Sequence, residues 1–256
     1  ASNNTIGATT DGDGNLIAGN MAAGVRIDGA GGGNAVQGNA IYANGGLAID
    51  LGGDGSTAND GDDADAGPNT LQNHPSIALV DTDGSTLRFK GTLQGAANSD
   101  FTLDFYGSDA GDPPASLGGR QYLGATTVTT DAAGLGTFEA YLPADLLPGS
   151  LVTATATSAS GDTSEFSDSA TALYNNPPTV TQLATIGGLA KEGELLYLIN
   201  TFQLSDPDGP GTLNIDTYWM RDDERIASGA YYTLGQEDVG HAISVVAQYT
   251  DATGRQ

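Results

Sequence analysis

Along the first fifty residues, aliphatic residues come in short clusters closed by Asn and Gly: TIG at 5–7, NLIAGN at 15–20 and VRID at 25–28. A second set answers the first, with NAVQG at 34–38, NAIYAN at 39–44 and LAID at 47–50. Asn15 lies 24 residues before Asn39 and Asp28 lies 22 before Asp50, and the first copy carries an extra loop, ATTDGDG at 8–14. Strands this short cannot bury a core singly. Stacked as rungs, they pool their Val, Ile and Leu into one column. Asn suits each corner because it tolerates left-handed backbone and its amide can bond to the rung above. About three rungs are the usual minimum and two are visible, so the chain is expected to start inside a longer stack. The first rung, with Ile6, Ile17 and Val25, is then an unfinished surface that would pair with preceding chain or another copy.

After LAIDLGGDG at 47–55 the run from Ser56 to Pro75 is too polar and Gly-rich for a strand and reads as a closing loop. From Ile77 the period changes to two. Alternating segments at 86–93, 101–106, 122–128, 136–142, 151–157 and 163–167 are separated by turn residues at 98–100, 109–114, 131–134 and 160–162. Short alternating strands at this density predict an antiparallel sandwich. NNPP at 175–178 marks a second boundary, since paired prolines cannot continue a sheet interior. Beyond it, Tyr218-Trp219, YYTL at 231–234, DVG at 238–240 and ISVVAQY at 243–249 follow the order of an immunoglobulin sandwich, with Trp219 between the sheets. Ala247 and its apolar neighbours would stand where such domains often carry a disulfide.

The expected fold class is all-β: the end of a stacked-rung domain over 1–75, a sandwich over 76–174 and an immunoglobulin-like repeat over 175–256, the last expected to be cut short. No helical period competes with it.

Charge narrows the partners. With 32 acidic against 8 basic residues the formal charge is -24, which opposes nucleic acid and anionic membranes. Zero cysteines exclude disulfides, thiol catalysis and zinc-thiolate sites. No apolar run approaches the roughly 20 residues of a membrane span, and residues 1–3 lack the features of a signal peptide, so any secretion signal is expected outside this segment.

Calcium is the one cofactor with repeated hints. It takes about six to eight oxygens, which Asp and Gly on tight loops can supply. Candidate ligands are Asp11, Asp13 and Asn15, then Asp54, Asp60 and Asp62, then Asp81 and Asp83, then Asp206 and Asp208. None of these loops ends in the Glu of an EF-hand, and the same residues simply make turns. Catalysis has little support: Arg26, Asp28 and Asp50 would lie on an outward face, where polar residues are ordinary. The two histidines, His74 and His241, have no nucleophile motif beside them. Aromatics are the third candidate chemistry. Phe105, Tyr106, Tyr122 and Tyr141 in the sandwich, and Tyr197, Tyr218, Tyr231 and Tyr232 in the last segment, would stack sugars if exposed, or form core and pair across strands otherwise.

Residues 1 to about 174 resemble the end of a bacterial right-handed parallel β-helix with its companion sandwich, through NTIG at 4–7, GNLIAGN at 14–20, GLAIDLGGDG at 46–55, GPNTLQNHP at 67–75 and TSEFS at 163–167. Residues from about 178 resemble the tandem immunoglobulin-like repeats of large bacterial adhesins, through LSDPDG at 204–209, YWMRD at 218–222, YTLGQEDVG at 232–240 and YTDATG at 249–254. The DDER at 222–225 is more charged than the usual turn there. The resemblance implies a non-enzymatic, secreted or surface-anchored module that extends and presents neighbouring domains or assembles with copies of itself, with calcium as a structural ion. The alternatives are an accessory region of a β-helix polysaccharide lyase or hydrolase, and a carbohydrate-binding module.

Overall fold

The computed structural model describes residues 2–8, 13–61, 63–111, 118–143, 146–208, 214–251 and 253. The chain divides into two compact units, Ala1–Tyr174 and Asn175–Gln256. Both are all-β, apart from short 3-10 turns.

Six three-residue strands open the first unit: β1 (Thr5–Gly7), β2 (Leu16–Ala18), β3 (Val25–Ile27), β4 (Ala35–Gln37), β5 (Ala40–Tyr42) and β6 (Ile49–Leu51). They pair parallel as β1 with β4, β2 with β5 and β3 with β6, giving three small parallel sheets. The chain therefore passes the same three positions twice. Each pairing sets aliphatic on aliphatic, with Ile6 against Val36, Ile17 against Ile41, Val25 against Ile49 and Ile27 against Leu51.

The register corrects one spacing. Arg26 faces Asp50, so the third step is 24 residues like the second, whereas matching Asp28 with Asp50 had made it 22. With the 24-residue step Val25 lies against Ile49 and Ile27 against Leu51, the most deeply buried aliphatics of β6. The extra residues of the first pass fall between β1 and β2, where the ATTDGDG loop was expected.

Asparagines do ladder between the two passes. Asn4 Nδ2 donates to Asn34 Oδ1 at 2.7 Å, Asn15 Nδ2 to Asn39 Oδ1 at 2.9 Å and Asn20 Nδ2 to Asn44 Oδ1 at 2.9 Å. The upper amides close the loop by donating to the carbonyls of Ile6 and Ile17. Every corner thus satisfies backbone groups that a short strand leaves open.

The rest of the unit is a sandwich. Its strands are β7 (Ser76–Thr82), β8 (Thr86–Gln94), β9 (Asp100–Ser108), β10 (Gln121–Thr129), β11 (Leu135–Pro143), β12 (Leu151–Ser158), β13 (Ala170–Thr171) and β14 (Leu173–Tyr174). One sheet runs β10-β9-β12-β13 and the other β11-β8-β7-β14. Leu87, Phe89, Leu93, Leu103, Phe105, Phe138, Val152 and Ala154 form the core between them. Phe89 and Phe105 stack at 4.4 Å across the two sheets. Residues 163–167, expected to be a strand, are not one; they run beside β12, with Ser164 N and Ser167 N donating to the Ala156 and Ala154 carbonyls.

In the second unit the strands are β15 (Thr179–Gln182), β16 (Thr185–Gly187), β17 (Leu195–Asn200), β18 (Gln203–Ser205), β19 (Asn214–Arg221), β20 (Glu224–Ser228), β21 (Tyr231–Thr233) and β22 (Ile243–Thr250). The sheets are β15-β18, β16-β17-β21 and β20-β19-β22, all antiparallel. Trp219 is fully buried, stacks on Tyr232 at 5.9 Å and donates Nε1–H to the Gly229 carbonyl. Leu196 and Leu234 are the other buried aliphatics of this core among the described residues.

Candidate functional site: the seam between the winding and the sandwich

The outer edge of the second pass, β4 to β6, would present unpaired amides to solvent. The sandwich meets them one by one. Gly33 N donates to Asp162 Oδ1 at 2.6 Å, Val36 N to Thr163 Oγ1 at 2.9 Å and Leu51 N to Glu165 Oε1 at 2.9 Å. Gly38 N donates to the Tyr106 hydroxyl at 3.0 Å. Ile41 and Gly119 exchange backbone bonds of 2.8 and 2.9 Å. That close approach needs glycine: a Cβ on Gly119 would stand 2.2 Å from Tyr106 Cβ, and one on Gly118 2.0 Å from the Ile41 carbonyl oxygen. Phe166 and Leu71 pack on the aliphatic column.

Asn69 completes the seam. It sits in the 3-10 turn Pro68–Leu71 with φ 47°, a left-handed backbone. From there it stands as a third step above Asn4 and Asn34, accepting from Asn34 N and Nδ2 at 3.1 and 3.0 Å and donating to the Asn34 and Thr163 carbonyls at 2.8 and 3.0 Å. One buried side chain therefore imitates a further rung and ties it to the sandwich. Asn69→Ala is expected to lower the stability of the first unit by about 2–3 kcal/mol, the cost of orphaning buried polar groups. Denaturant unfolding measures it. A loss under about 0.5 kcal/mol would mean that water substitutes freely there.

The seam also buries carboxylates. Burial pushes Glu165 above the usual carboxylate range, partly offset by the Thr57 and Leu51 amides. It raises Asp104 too, against the hydrogen bonds from Tyr122 OH and Gln37 Nε2. In the closing loop it raises Asp63, which accepts from Asn73 N and Gln72 Nε2. Asp238 of the second unit behaves oppositely. Burial pulls it up, but donors on Gly235 N, Arg221 Nε and Tyr232 OH together outweigh that and hold it below the ordinary range.

The consequence for pH has opposite signs in the two units. Raised carboxylates favour the folded first unit fully below their unfolded pKa of about 4, and that contribution is lost as pH rises through the folded values. The lowered Asp238 stabilises the second unit above about pH 4, and its contribution is lost as pH falls through the folded value. Acidification from pH 7 towards pH 4 should raise the melting temperature of the first unit, and the second should weaken only below that. Calorimetry follows both, and Trp219 fluorescence reports the second unit. Glu165→Gln should flatten the gain of the first unit; an unchanged gain would assign it to general charge relief.

The residues proposed for calcium scatter. Asp11 and Asp62 lie outside the described residues. Asp13 and Asp54 are exposed, and Asn15 is spent on the Asn39 ladder. Asp60 accepts from Asp63 N, Asp83 from Ser85 N and Thr86 N and Asp206 from Asp208 N, all turn-forming bonds, while Asp208 accepts from Asn176 Nδ2, 32 residues away. Asp81 is fully buried against Arg88, whose Nη2 lies 2.6 Å from Oδ2, so this carboxylate is claimed by a cation already present. A cleft of about 420 Å³ beside the seam is bordered by Asp63, Asp65, Asp100 and Asp162. Among the described residues, however, no three Asp, Glu or His side chains gather as a metal ion requires.

The other candidates separate as well. Arg26 and Asp28 form a 2.9 Å pair with both side chains more than half exposed. His74 Nδ1 lies 3.2 Å from the Pro75 carbonyl, and His241 Nδ1 2.7 Å from Asp222 Oδ2 in the other unit. Tyr122 is drawn into the seam, and Tyr218 is covered by the Arg225 guanidinium at 3.4 Å. Tyr197 and Tyr231 face each other across β17 and β21, 42% and 66% exposed.

No family model matches the chain, and no curated protein does. Among solved structures it is similar to the FN1–FN3 domains of chicken CNTN1, at 8% identity and a TM-score of 0.26, over 71% of this chain and 56% of that one. The chain thus spans little more than half of that structure's length.

Proposed function

We propose that this chain is a structural segment of a large exported bacterial protein, in which the two stacked passes are the last rungs of a right-handed parallel β-helix. The first sandwich acts as the lid of that helix, and the second unit is an immunoglobulin-like repeat that extends the protein and presents what lies beyond it. The observation supporting this reading is the seam: side chains and backbone of the sandwich take up successive amides of the second pass, which is what terminating a stack of rungs demands. Its adhesive or assembly role and its extracellular placement follow from that reading.

A polysaccharide-degrading accessory role is the rival. Incubation with neutral and uronate polysaccharides, followed by release of reducing ends, separates the two; the structural reading expects none, and sustained release would replace it. A second reading, sugar binding, has one observation in its favour, the exposed Tyr197–Tyr231 pair flanked by Leu195 and Ile199. A glycan array decides it, since binding lost in Tyr231→Ala would establish the pair as a sugar platform.

Calcium belongs to the same proposal as a structural ion held by one or more of the acidic loops. It would raise stability by binding the native state and by relieving repulsion among 32 carboxylates. The melting temperature should rise with calcium and fall again with chelator. An equal midpoint at matched ionic strength would remove the ion from the account.

A further inference from the structure

Asn39 and Asn44 form two corners of the same design that differ in the residue after them. Asn39 Oδ1 accepts from Asn15 N and Nδ2 at 3.0 and 2.9 Å, and Ala40 N donates to the Asn15 carbonyl at 2.9 Å. Asn44 Oδ1 accepts from Asn20 N and Nδ2 at 3.1 and 2.9 Å, and Gly45 N donates to the Asn20 carbonyl at 2.7 Å. Position 40 holds a side chain. Position 45 cannot, because a Cβ there would run into the Met21 carbonyl of the first pass. The winding thus demands both halves of Asn44-Gly45, the only Asn-Gly pair in the sequence.

Among asparagine dipeptides this one is the most open to self-modification. Glycine puts no side chain in the way of its own nitrogen and leaves the backbone free to turn that nitrogen onto the asparagine. Once Gly45 N has lost its proton to solvent it bonds to Asn44 Cγ, the bond from Cγ to Nδ2 breaks, and Nδ2 leaves as ammonia. Water then opens the cyclic imide at either of its carbonyls. The product is aspartate, or isoaspartate, in which the main chain runs through Cγ. The ladder blocks each part of this reaction. Gly45 N is held by the first pass, Asn44 Nδ2 donates to the Ile17 carbonyl at 3.0 Å, and Asn44 is only 5% exposed.

We propose that Asn44-Gly45 is a latent self-modification site, inert while the two passes are laddered and converted to aspartate or isoaspartate when the first pass lifts off the second. This does not rest on the role proposed for the chain. The change is one-way. An ionised aspartate cannot donate to the Ile17 carbonyl and sets a buried charge beside it. Isoaspartate lengthens the main chain and carries Gly45 N away from Asn20. Either product keeps the corner from closing, so a transient opening becomes a permanent loosening of the winding.

Incubation of the 256-residue chain at mildly alkaline pH, with and without guanidinium chloride, followed by peptide mass spectrometry, tests this. In denaturant Asn44 should convert to the acid well ahead of Asn39. In the folded chain it should convert at least about a hundredfold more slowly, as a reaction confined to a locally opened state does. Ile17→Ala trims the packing on Ile41 between the passes. It should speed conversion in native buffer at least about tenfold, with protected amides of β8 and β9 showing that the sandwich stays folded. In the converted chain, the Gly19 and Gly46 amides, which bridge the passes beside this corner, should exchange faster than before. An Asn44 that survives denaturant, that converts no faster than Asn39, that reacts as fast folded as unfolded, or that is indifferent to Ile17→Ala would overturn the proposal. So would a converted chain whose corner amides stay protected.

Discussion

Asp81→Ala is expected to lower the stability of the first unit by about 3–5 kcal/mol, the penalty for leaving a buried charge without its partner. Asp81 and Arg88 are directly opposite on β7 and β8, and both are fully buried. Arg88 Nε and Nη2 both donate to Asp81 Oδ2, at 3.0 and 2.6 Å. The next carboxylate, Glu139, stands 3.6 Å from Nη1 and is 42% exposed at its side chain, too solvated to take over. Replacing both partners together, as Asp81→Leu with Arg88→Met, should recover most of the loss, because the pair's attraction largely repays its own desolvation and little more. Chemical denaturation of the two single variants and the double variant measures the cycle. A single-variant loss below about 1 kcal/mol would place the pair with ordinary surface ion pairs.

Trp219→Ala is expected to unfold the second unit while the first stays folded. Truncating a large buried aromatic costs about 3–5 kcal/mol, comparable to the whole stability of many small domains. Here the margin is thin, since only Leu196 and Leu234 share its full burial in that core among the described residues. Trp219→Phe keeps most of the packing and loses the Nε1 bond to Gly229, so it should cost less and leave the unit folded. Calorimetry distinguishes the outcomes: the alanine variant should lose one transition and keep the other. Retention of both transitions at their original temperatures would show that the tryptophan is not the centre of its unit.

What could be read from the chain follows from the range of the forces involved. Period-two alternation is local, and it located β8, β9, β10, β11 and β12 closely; the recurrence of Asn between passes announced the ladders at Asn39 and Asn44. Trp219 was placed by its size and by the strand around it. The seam was not legible. Val36 and Thr163 are 127 residues apart, as are Gly33 and Asp162 within two, and no periodicity records such a meeting. Residues 163–167 alternate like a strand because they lie along β12, yet Thr163 and Glu165 are spent on the amides of the second pass. Asn69 read as turn chemistry, which it is, and only its left-handed backbone brings the amide onto Asn34. Asp81 was grouped with Asp83 by their spacing, although one lies in a strand beside Arg88 and the other makes the turn. An acidic residue shortly before a glycine looks the same in both places.

The central claim is that the sandwich closes the open edge of the second pass, and native-state amide hydrogen exchange tests it most directly. Gly33, Val36, Gly38, Ile41 and Leu51 are the amides whose acceptors come from the sandwich. The account predicts that they are protected to about the same degree as core amides of β8 and β9, and that Glu165→Ala selectively speeds Leu51. Exchange of these five at the rates of unstructured peptides, with the sandwich core still protected, would contradict it.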